Sequence, residues 1–141
     1  MAPHQARDAP WVVLPLRQIP TASRVARSSM HSVLSTLGLR RDVIADAELV
    51  MSELVANAVE HGSADSDGMI EAAWRLTPPR LLVRVRDSGT AAELTPGTLD
   101  VGQVRPDVRG RGLAIVDALC DTWSYETDHG GTEVTAELLI R

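Results

Sequence analysis

The chain has 141 residues, 44% hydrophobic and 23% charged, which is enough apolar sequence for one domain with its own core and argues against a disordered chain. Its net charge of −5, with only three Trp and one Tyr as aromatic residues, disfavours direct binding of nucleic acid. All 14 basic residues are arginine, which excludes sites that need a lysine, including the Walker-type phosphate loop and Schiff-base catalysis.

The first residues predict an arm and a strand. Residues 1–10 mix Pro, Ala and charge without a period, so we expect a flexible N-terminal arm. A short apolar strand over residues 11–16 then starts a domain that we expect to span residues 11–141.

Two helices are predicted next. The first opens at Pro20 and ends with Gly38 as its C-terminal cap. The second, capped by Asp42 and ended by Gly62, carries a wide apolar arc with a period of 3.6 residues.

The second half predicts two pairs of antiparallel strands, separated by a loop and a helix. The loop, residues 90–109, has no sustained period and is expected to be a lid or disordered, and a helix over 112–119 follows it. The strands cover residues 69–76, 81–86, 123–127 and 132–140. This order predicts an α+β fold, a two-layer sandwich in which helices cover one face of a mostly antiparallel sheet.

Glu53, Asn57 and His61 form a polar row along the second helix. They are four residues apart, so they lie on one side of the helix at the margin of its apolar arc. A Glu can act as a general base, and an Asn side-chain oxygen is a hard ligand for Mg²⁺. A solvated polar edge is the alternative, and the row alone does not decide between them.

The tripeptide Asp87-Ser88-Gly89 ends a strand and begins the long loop. Asp-Ser-Gly is ordinary turn sequence, so a plain turn is one interpretation. The other is a carboxylate that accepts a hydrogen bond from an exocyclic amine, beside a glycine that lets a flat ring approach the backbone.

The segment Arg109-Gly110-Arg111-Gly112 leads into a helix. Its backbone N–H groups and the helix dipole can receive a phosphate without a lysine, and the two arginines add positive charge. A flexible hinge is the alternative. The third glycine of a dinucleotide-binding fingerprint is missing.

Three motifs together resemble a known family. They are Glu-Leu-Val-Ala-Asn-Ala-Val-Glu-His-Gly at 53–62, Arg-Asp-Ser-Gly at 86–89, and Arg-Gly-Arg-Gly-Leu-Ala-Ile-Val-Asp-Ala-Leu at 109–119. In this order they resemble the GHKL, or Bergerat-fold, ATPase domain of the histidine kinase-like proteins. The sequence is most similar to the small branch of anti-sigma-factor serine kinases and stand-alone ATP-binding regulatory proteins of actinobacteria.

The resemblance implies roles for five residues around the adenine and the reacting groups. Glu53 would activate the attacking group, and Asn57 would hold Mg²⁺ against the phosphates. Asp87 would bind the adenine amine, Gly89 would line the adenine pocket, and Thr132 would support Asp87 directly or through water.

The same resemblance implies a phosphate site at the start of the last helix. Gly110 and Gly112 would offer backbone N–H groups to the phosphates of ATP, and Arg109 and Arg111 would add charge. His61 ends the first motif and receives no assigned role.

The function implied by the resemblance is regulatory. The protein would be an ATP- and Mg²⁺-dependent serine/threonine protein kinase that acts on an anti-sigma-factor antagonist and, in another state, sequesters a sigma factor. Two alternatives stay open at this point: a non-catalytic binding module switched by nucleotide, and a plain structural domain with coincidental motifs. A homodimer is one option for the oligomeric state.

The sequence also favours a cytoplasmic protein. Cys120 is the only cysteine, so no internal disulfide can form. The apolar runs are shorter than the roughly 18 residues of a membrane span, and the N-terminus lacks a signal-peptide core. We therefore expect no membrane partner.

Overall fold

The structure of the protein, a computed structural model, describes residues 9–89, 111–128 and 130–140. Most of the predicted N-terminal arm and the whole predicted loop over 90–109 lie outside the described residues. Within those residues the elements follow the predicted order. The strands are β1 (Val12–Arg17), β2 (Met69–Thr77), β3 (Arg80–Asp87), β4 (Thr122–Asp128) and β5 (Gly131–Leu139). The helices are α1 (Ala22–Thr36), α2 (Arg41–His61) and α3 (Arg111–Leu119).

The strands form one antiparallel sheet in the order β1-β2-β3-β5-β4. The central strand β3 pairs with β2 and β5, so Asp87 at its end stands opposite Thr132 at the start of β5. The helices pack on one face of this sheet. The predicted two-layer α+β architecture is confirmed.

The core lies between α2 and the sheet. Leu81, Val83 and Val85 alternate along β3 and are at most 3% exposed, as expected for a strand with one covered face. Burying each such aliphatic side chain stabilises the fold by about 1.5–3 kcal/mol, so these contacts hold α2 against the sheet. The largest fully buried side chains are Trp74, Met30, Leu34, Met51, Leu81, Val50, Val55, Val83 and Val116. No helix of the described part of the chain is long and apolar enough to cross a membrane.

Helix α1 ends in a glycine motif. Gly38 has a φ of +78°, and its N–H donates to the carbonyl of Ser35 over 3.0 Å. The N–H of Leu39 reaches back to the carbonyl of Leu34 over 3.3 Å. This pair of bonds is the Schellman arrangement, so the predicted role of Gly38 as the helix terminator is confirmed.

The start of α2 corrects a prediction. Asp42 was expected to cap the helix, but the cap position is Arg40, which has extended backbone and no capping hydrogen bond from its side chain. Asp42 lies in the first turn, where its carboxylate accepts from the N–H of Val43 (3.0 Å) and pairs with Arg40 (2.7 Å). A carboxylate in the first turn also stabilises a helix, through its interaction with the helix dipole. An Asp is therefore compatible with both the cap position and the first turn, and its presence alone does not locate the first residue of α2.

The other face of the sheet carries ion pairs. Arg86 contacts Asp128 (2.7 Å) and Glu133 (3.5 Å), and Arg84 lies over the ring of Trp11, 4.1 Å from its centroid. The hydrogen bond from Arg86 holds the pKa of Asp128 below its ordinary value. Exposed ion pairs add little stability. The contact of Arg84 with the Trp11 ring connects β3 to the residue just before β1.

Cys120 follows α3 directly. Burial, and then the neighbouring carboxylates of Asp121, Asp117 and Asp46, raise the pKa of this thiol to about 12. The thiol form therefore persists at neutral pH. We interpret Cys120 as a packing residue, because the reactive form of cysteine is the thiolate.

Candidate functional site

Glu53, Asn57 and His61, the predicted polar row, all lie on α2. Glu53 and Asn57 are half-buried, and His61 is more exposed, with its Nε2 3.5 Å from Glu60 Oε2. Within the described residues, neither the Glu53 carboxylate nor the Asn57 amide has a hydrogen-bond partner. Both polar groups lie at the edge of the core.

Asp87 ends β3 and begins a tight turn. Its Oδ1 accepts a hydrogen bond of 2.6 Å from the N–H of Gly89. Its Oδ2 lies beside Gly62, where an added Cβ would come within 2.6 Å of that oxygen. Gly62 therefore lets the end of α2 reach the carboxylate. The sequence indicated Gly62 only as the end of a helix.

A second contact joins the loops that follow α2 and β3. The N–H of Ser88 donates to the carbonyl of Ser63 over 2.7 Å. Gly89 is buried in the same place, and a Cβ on it would lie 2.8 Å from Asp87 Oδ1 and 3.7 Å from Ser63 Oγ. The Asp87 turn is thus packed against the end of the helix that carries Glu53.

Thr132 completes this turn from the neighbouring strand. It is 7% exposed, and its hydroxyl donates to the carbonyl of Gly89 over 3.0 Å. Its Oγ1 also lies 3.4 Å from that of Thr127. The structure therefore brings Asp87, Gly89 and Thr132 together. The side chain of Thr132 contacts the turn at a backbone carbonyl, that of Gly89.

Gly131 and Thr132 together resemble the closing element of the family, but the sequence assigned no contact to Gly131. Its φ is +142°, and a Cβ at this position would lie 1.9 Å from the carbonyl oxygen of Asp87. Only a glycine allows this approach of β5 to β3. A Gly-Gly pair such as Gly130-Gly131 between two strands is typical of a hairpin turn and does not by itself indicate a close contact with another strand.

Gly131→Ala is expected to lower the free energy of unfolding by about 3 kcal/mol, because overpacking costs about 1–3 kcal/mol and a left-handed φ about 1–2 kcal/mol. Gly68→Ala is the matched control, because Gly68 also has a positive φ (+79°) but no atom within 4 Å of an added Cβ. Urea unfolding of the two variants separates the steric part from the backbone part. Equal losses would contradict the close approach at Gly131.

The predicted phosphate site is described only in part. Arg111 is the first residue of α3 and Gly112 lies in its first turn, while Arg109 and Gly110 lie outside the described residues. The first N–H groups of a helix have no partner within it and favour anions. Because α3 packs against α2, these groups start a helix beside the one that carries Asn57.

The donors at this site suit a magnesium ion held together with phosphates. No group of three His, Cys, Asp or Glu side chains that could hold a metal occurs in residues 9–89, 111–128 and 130–140. Mg²⁺ usually takes only one or two protein ligands when it is bound with substrate phosphates. The amide oxygen of Asn57, which has no hydrogen-bond partner in the part of the chain that the structure describes, fits that requirement.

Two cavities lie at opposite ends of β3. One of about 310 Å³ borders the Asp87 turn and is lined by Val13, Pro15, Asp65, Met69, Ile70, Glu71, Arg86, Asp87 and Ser88. The other, of about 580 Å³, is mainly apolar and is lined by Gly38, Leu39, Arg40, Val43, Pro78, Pro79 and Ile140. None of the predicted site residues lines the larger cavity, and Asp87 is the one that lines the smaller cavity among the described residues.

Sequence relatives match nearly the whole chain. The serine-protein kinase RsbW of Listeria monocytogenes is 28% identical over 136 residues, which cover 91% of this chain and 87% of the relative. The RsbW of Bacillus subtilis is 24% identical over 140 residues, which cover 94% and 88%. The similarity therefore extends well beyond the three motifs.

Solved structures share the fold. The crystal structure of the RsbU and RsbW domains of Rv1364c from Mycobacterium tuberculosis matches with a TM-score of 0.67 at 25% identity, over 93% of this chain and 32% of that one. The chain thus spans about a third of that protein. A chain of the SiaB–SiaC complex from Pseudomonas aeruginosa matches with a TM-score of 0.62 at 12% identity, over 92% and 89%, and shows the fold alone.

A family model covers most of the domain. The model of the histidine kinase-like ATPase domain matches residues 16–138, a range that includes Glu53, Asn57, Asp87 and Thr132. The predicted resemblance is confirmed, together with the ATP-binding fold that it implies. This chain belongs to the histidine kinase-like ATPase domain family.

Proposed function

We propose that this protein is an ATP-dependent serine/threonine protein kinase of the anti-sigma-factor type, which acts in the cytoplasm through one domain over residues 11–141. Its substrate is an anti-sigma-factor antagonist, and its second partner is a sigma factor. The observation that carries the proposal is the packing of the Asp87 turn against the end of α2, because α2 also carries Glu53 and Asn57, whose side chains have no hydrogen-bond partner among the described residues. The named kinases among the relatives support it.

In this proposal Asp87 recognises adenine. The N–H of Gly89 fixes the Asp87 carboxylate through Oδ1, and the carboxylate would accept a hydrogen bond from the exocyclic amine. Guanine has a carbonyl at the corresponding position and offers no proton. Gly89 and Thr132 act on the same pocket, the first by leaving room for a flat ring and the second by fixing the turn.

The phosphates bind between α2 and the start of α3. Asn57 supplies an oxygen ligand to Mg²⁺, and the ion, when bound, neutralises charge on the phosphates. Gly110 and Gly112 supply backbone N–H groups, and Arg109 and Arg111 supply positive charge. This arrangement would position the terminal phosphate without any lysine.

Glu53 lies one helical turn before Asn57 and acts as the general base for the hydroxyl that is phosphorylated. A Ser or Thr oxygen of the substrate forms a bond to the terminal phosphorus, while the bond from that phosphorus to the bridging oxygen breaks and ADP leaves. The proton of the hydroxyl passes to the Glu53 carboxylate. Such transfers depend mainly on positioning and charge neutralisation, which is what the proposed residues provide.

The outer side of α1 is the proposed surface for a protein partner. Residues 9–41 contain five arginines and no acidic residue, although the chain as a whole has a net charge of −5. Arg24 and Arg27 are exposed on α1, and Val25 between them is 48% exposed. A basic surface around an apolar residue suits an acidic patch on the partner.

Arg24→Glu combined with Arg27→Glu is expected to weaken capture of the partner at least about tenfold and to leave ATP affinity unchanged, because like charges opposed across an interface are costly. Arg80→Glu, a charge reversal in the β2–β3 hairpin, is the control. Pull-down on immobilised variants measures capture, and calorimetry measures ATP binding. Equal capture by the double variant and wild type would remove α1 from the interface.

The function itself is tested by recovering partners from a cell lysate with and without Mg-ATP, then identifying them and mapping phosphorylated residues. The proposal expects a partner that gains phosphate on Ser or Thr. A partner that is bound in a nucleotide-dependent way, with neither transfer nor hydrolysis, would instead support a nucleotide-switched binding module. Failure of the pure protein to bind ATP would contradict both.

A further inference from the structure

Gln18 connects the end of β1 to the end of α2. Its side-chain Nε2 donates to the carbonyl of Gly62 over 2.8 Å and to that of Ala58 over 3.1 Å, and lies 3.5 Å from that of Val59. The last carbonyls of a helix lack partners within the helix, although that of Ala58 also accepts the N–H of Gly62 over 2.9 Å. Gln18 supplies its donor from 44 positions away to Gly62 and from 40 positions away to Ala58.

Helix α2 has one local bond at its end, from the N–H of Gly62 to the carbonyl of Ala58 over 2.9 Å. Gly62, its C-terminal cap, has extended backbone (φ −89°, ψ −177°), so no left-handed glycine closes the helix. Helix α1, in contrast, is closed by Gly38 within its own chain segment. The amide of Gln18 thus adds a donor from outside the helix, for the carbonyl of Gly62.

Gln18 also holds the far end of the loop that follows α2. Its backbone N–H donates to the carbonyl of Gly68 over 3.0 Å, and the N–H of Gly68 donates to the carbonyl of Asp65 over 2.9 Å. The two ends of the loop, at Gly62 and Gly68, therefore contact the same residue. This loop cannot move far without breaking a bond to Gln18.

The same end of α2 also contacts the candidate site. Gly62 lies against the Asp87 carboxylate, and Ser63 accepts a hydrogen bond from Ser88. The end of α2 is therefore in contact with both Gln18 and the Asp87 turn. Asn57 immediately precedes the last turn of α2.

We infer that Gln18 is a positioning residue for the nucleotide site: it holds the last turn of α2 where Asn57 and Asp87 can act on one ATP molecule. The inference rests on the proposed function. It adds a residue that lies outside all three motifs and contacts no nucleotide itself. A residue that only capped the helix would affect stability and leave nucleotide affinity unchanged.

Three substitutions separate these roles. Gln18→Met has similar length but no donor, and Gln18→Glu sets a carboxylate against carbonyl oxygens. Both are expected to weaken Mg-ATP binding about tenfold, as for the loss of one or two hydrogen bonds. Gln18→Lys retains donors and adds a charge that favours a helix C-terminus, so it is expected to stay within about threefold of wild type.

Thr36→Ala is the matched control, because Thr36 Oγ1 donates to the carbonyl of Ser32 (2.9 Å) in the last turn of α1, which carries no site residue. Calorimetry with ATP, with and without Mg²⁺, is combined with thermal unfolding and with amide hydrogen exchange at residues 58–62 in the absence of nucleotide. The expected result is weaker Mg-ATP binding and faster exchange at 58–62 for the Met and Glu variants, and neither for Thr36→Ala.

The outcomes are distinguishable. If wild type binds ATP and the folded Met and Glu variants bind it equally well, Gln18 is only a cap and the inference is wrong. If Gln18→Lys is as defective as Gln18→Met, donation to the helix end is not the cause and the inference is likewise overturned. If wild type itself binds no ATP, the proposed function fails, while hydrogen exchange still reports whether Gln18 holds the helix end.

Discussion

Replacing Asp87 by asparagine is expected to weaken ATP binding about 10- to 150-fold, the cost of losing a charge-assisted hydrogen bond of about 1.5–3 kcal/mol. Asparagine retains an oxygen that can accept from the N–H of Gly89, so the turn should persist. The second oxygen, which faces the adenine amine in our proposal, becomes an amide group with the wrong polarity. Isothermal calorimetry measures the change.

The control for this variant is Asp121→Asn. Asp121 Oδ2 also accepts a backbone N–H group, from Leu139 (2.6 Å), but Asp121 is not one of the predicted site residues and does not line the cavity at the Asp87 turn. Its substitution should leave ATP affinity within about twofold while testing for the general effect of changing a carboxylate that accepts a backbone N–H. A folded Asp87→Asn protein that binds ATP like wild type would show that Asp87 is only a turn residue. GTP should compete poorly for the wild-type site.

The fold was predictable where its signals are local. The apolar arc of α2 and the alternation of Leu81, Val83 and Val85 are periodic patterns, and periodicity reports directly on a covered face. Gly38 could be predicted as a helix end because a left-handed residue after a helix is a local requirement. Asp42 was misjudged because carboxylates stabilise both the cap position and the first turn.

The site was predictable as a set of residue types, and less so as an arrangement. Motif order indicated Asp87, Gly89 and Thr132, and the register of β3 with β5 is what sets Asp87 opposite Thr132. The approach of Gly62 to the Asp87 carboxylate and of Gly131 to the Asp87 carbonyl are contacts between distant segments. No periodic pattern or turn sequence reports on such contacts.

Gln18 is the clearest example of a contact that the sequence does not predict. It lies between a strand and a helix, in no motif, and 44 residues before the glycine whose carbonyl it contacts. Only the pairing of β1 with β2 and the packing of α2 on the sheet bring these two residues together. A functional role for a glutamine in a connection is therefore visible in the fold and not in the sequence.

Glu53→Gln is expected to retain ATP affinity and to lose about 100- to 10,000-fold in phosphate transfer, or in hydrolysis without a partner, the range for a positioned acid or base. The amide has the same shape but cannot take the proton of the attacking hydroxyl, so the defect belongs to the transition state. Glu60→Gln, an exposed carboxylate on the same helix, is the control. Calorimetry and single-turnover transfer to the captured partner measure the two quantities.

Asn57→Ala should give a different defect, although Asn57 lies only one helical turn from Glu53. Loss of the oxygen ligand weakens binding of Mg-ATP itself, whereas ATP without Mg²⁺ should bind wild type and variant about equally. Asn57→Asp, which keeps an oxygen, should recover part of the metal dependence. If wild type binds ATP and its partner without transfer or hydrolysis, and Glu53→Gln changes nothing, Glu53 has no catalytic role. The kinase proposal would then give way to a nucleotide-switched binding module built on the same site.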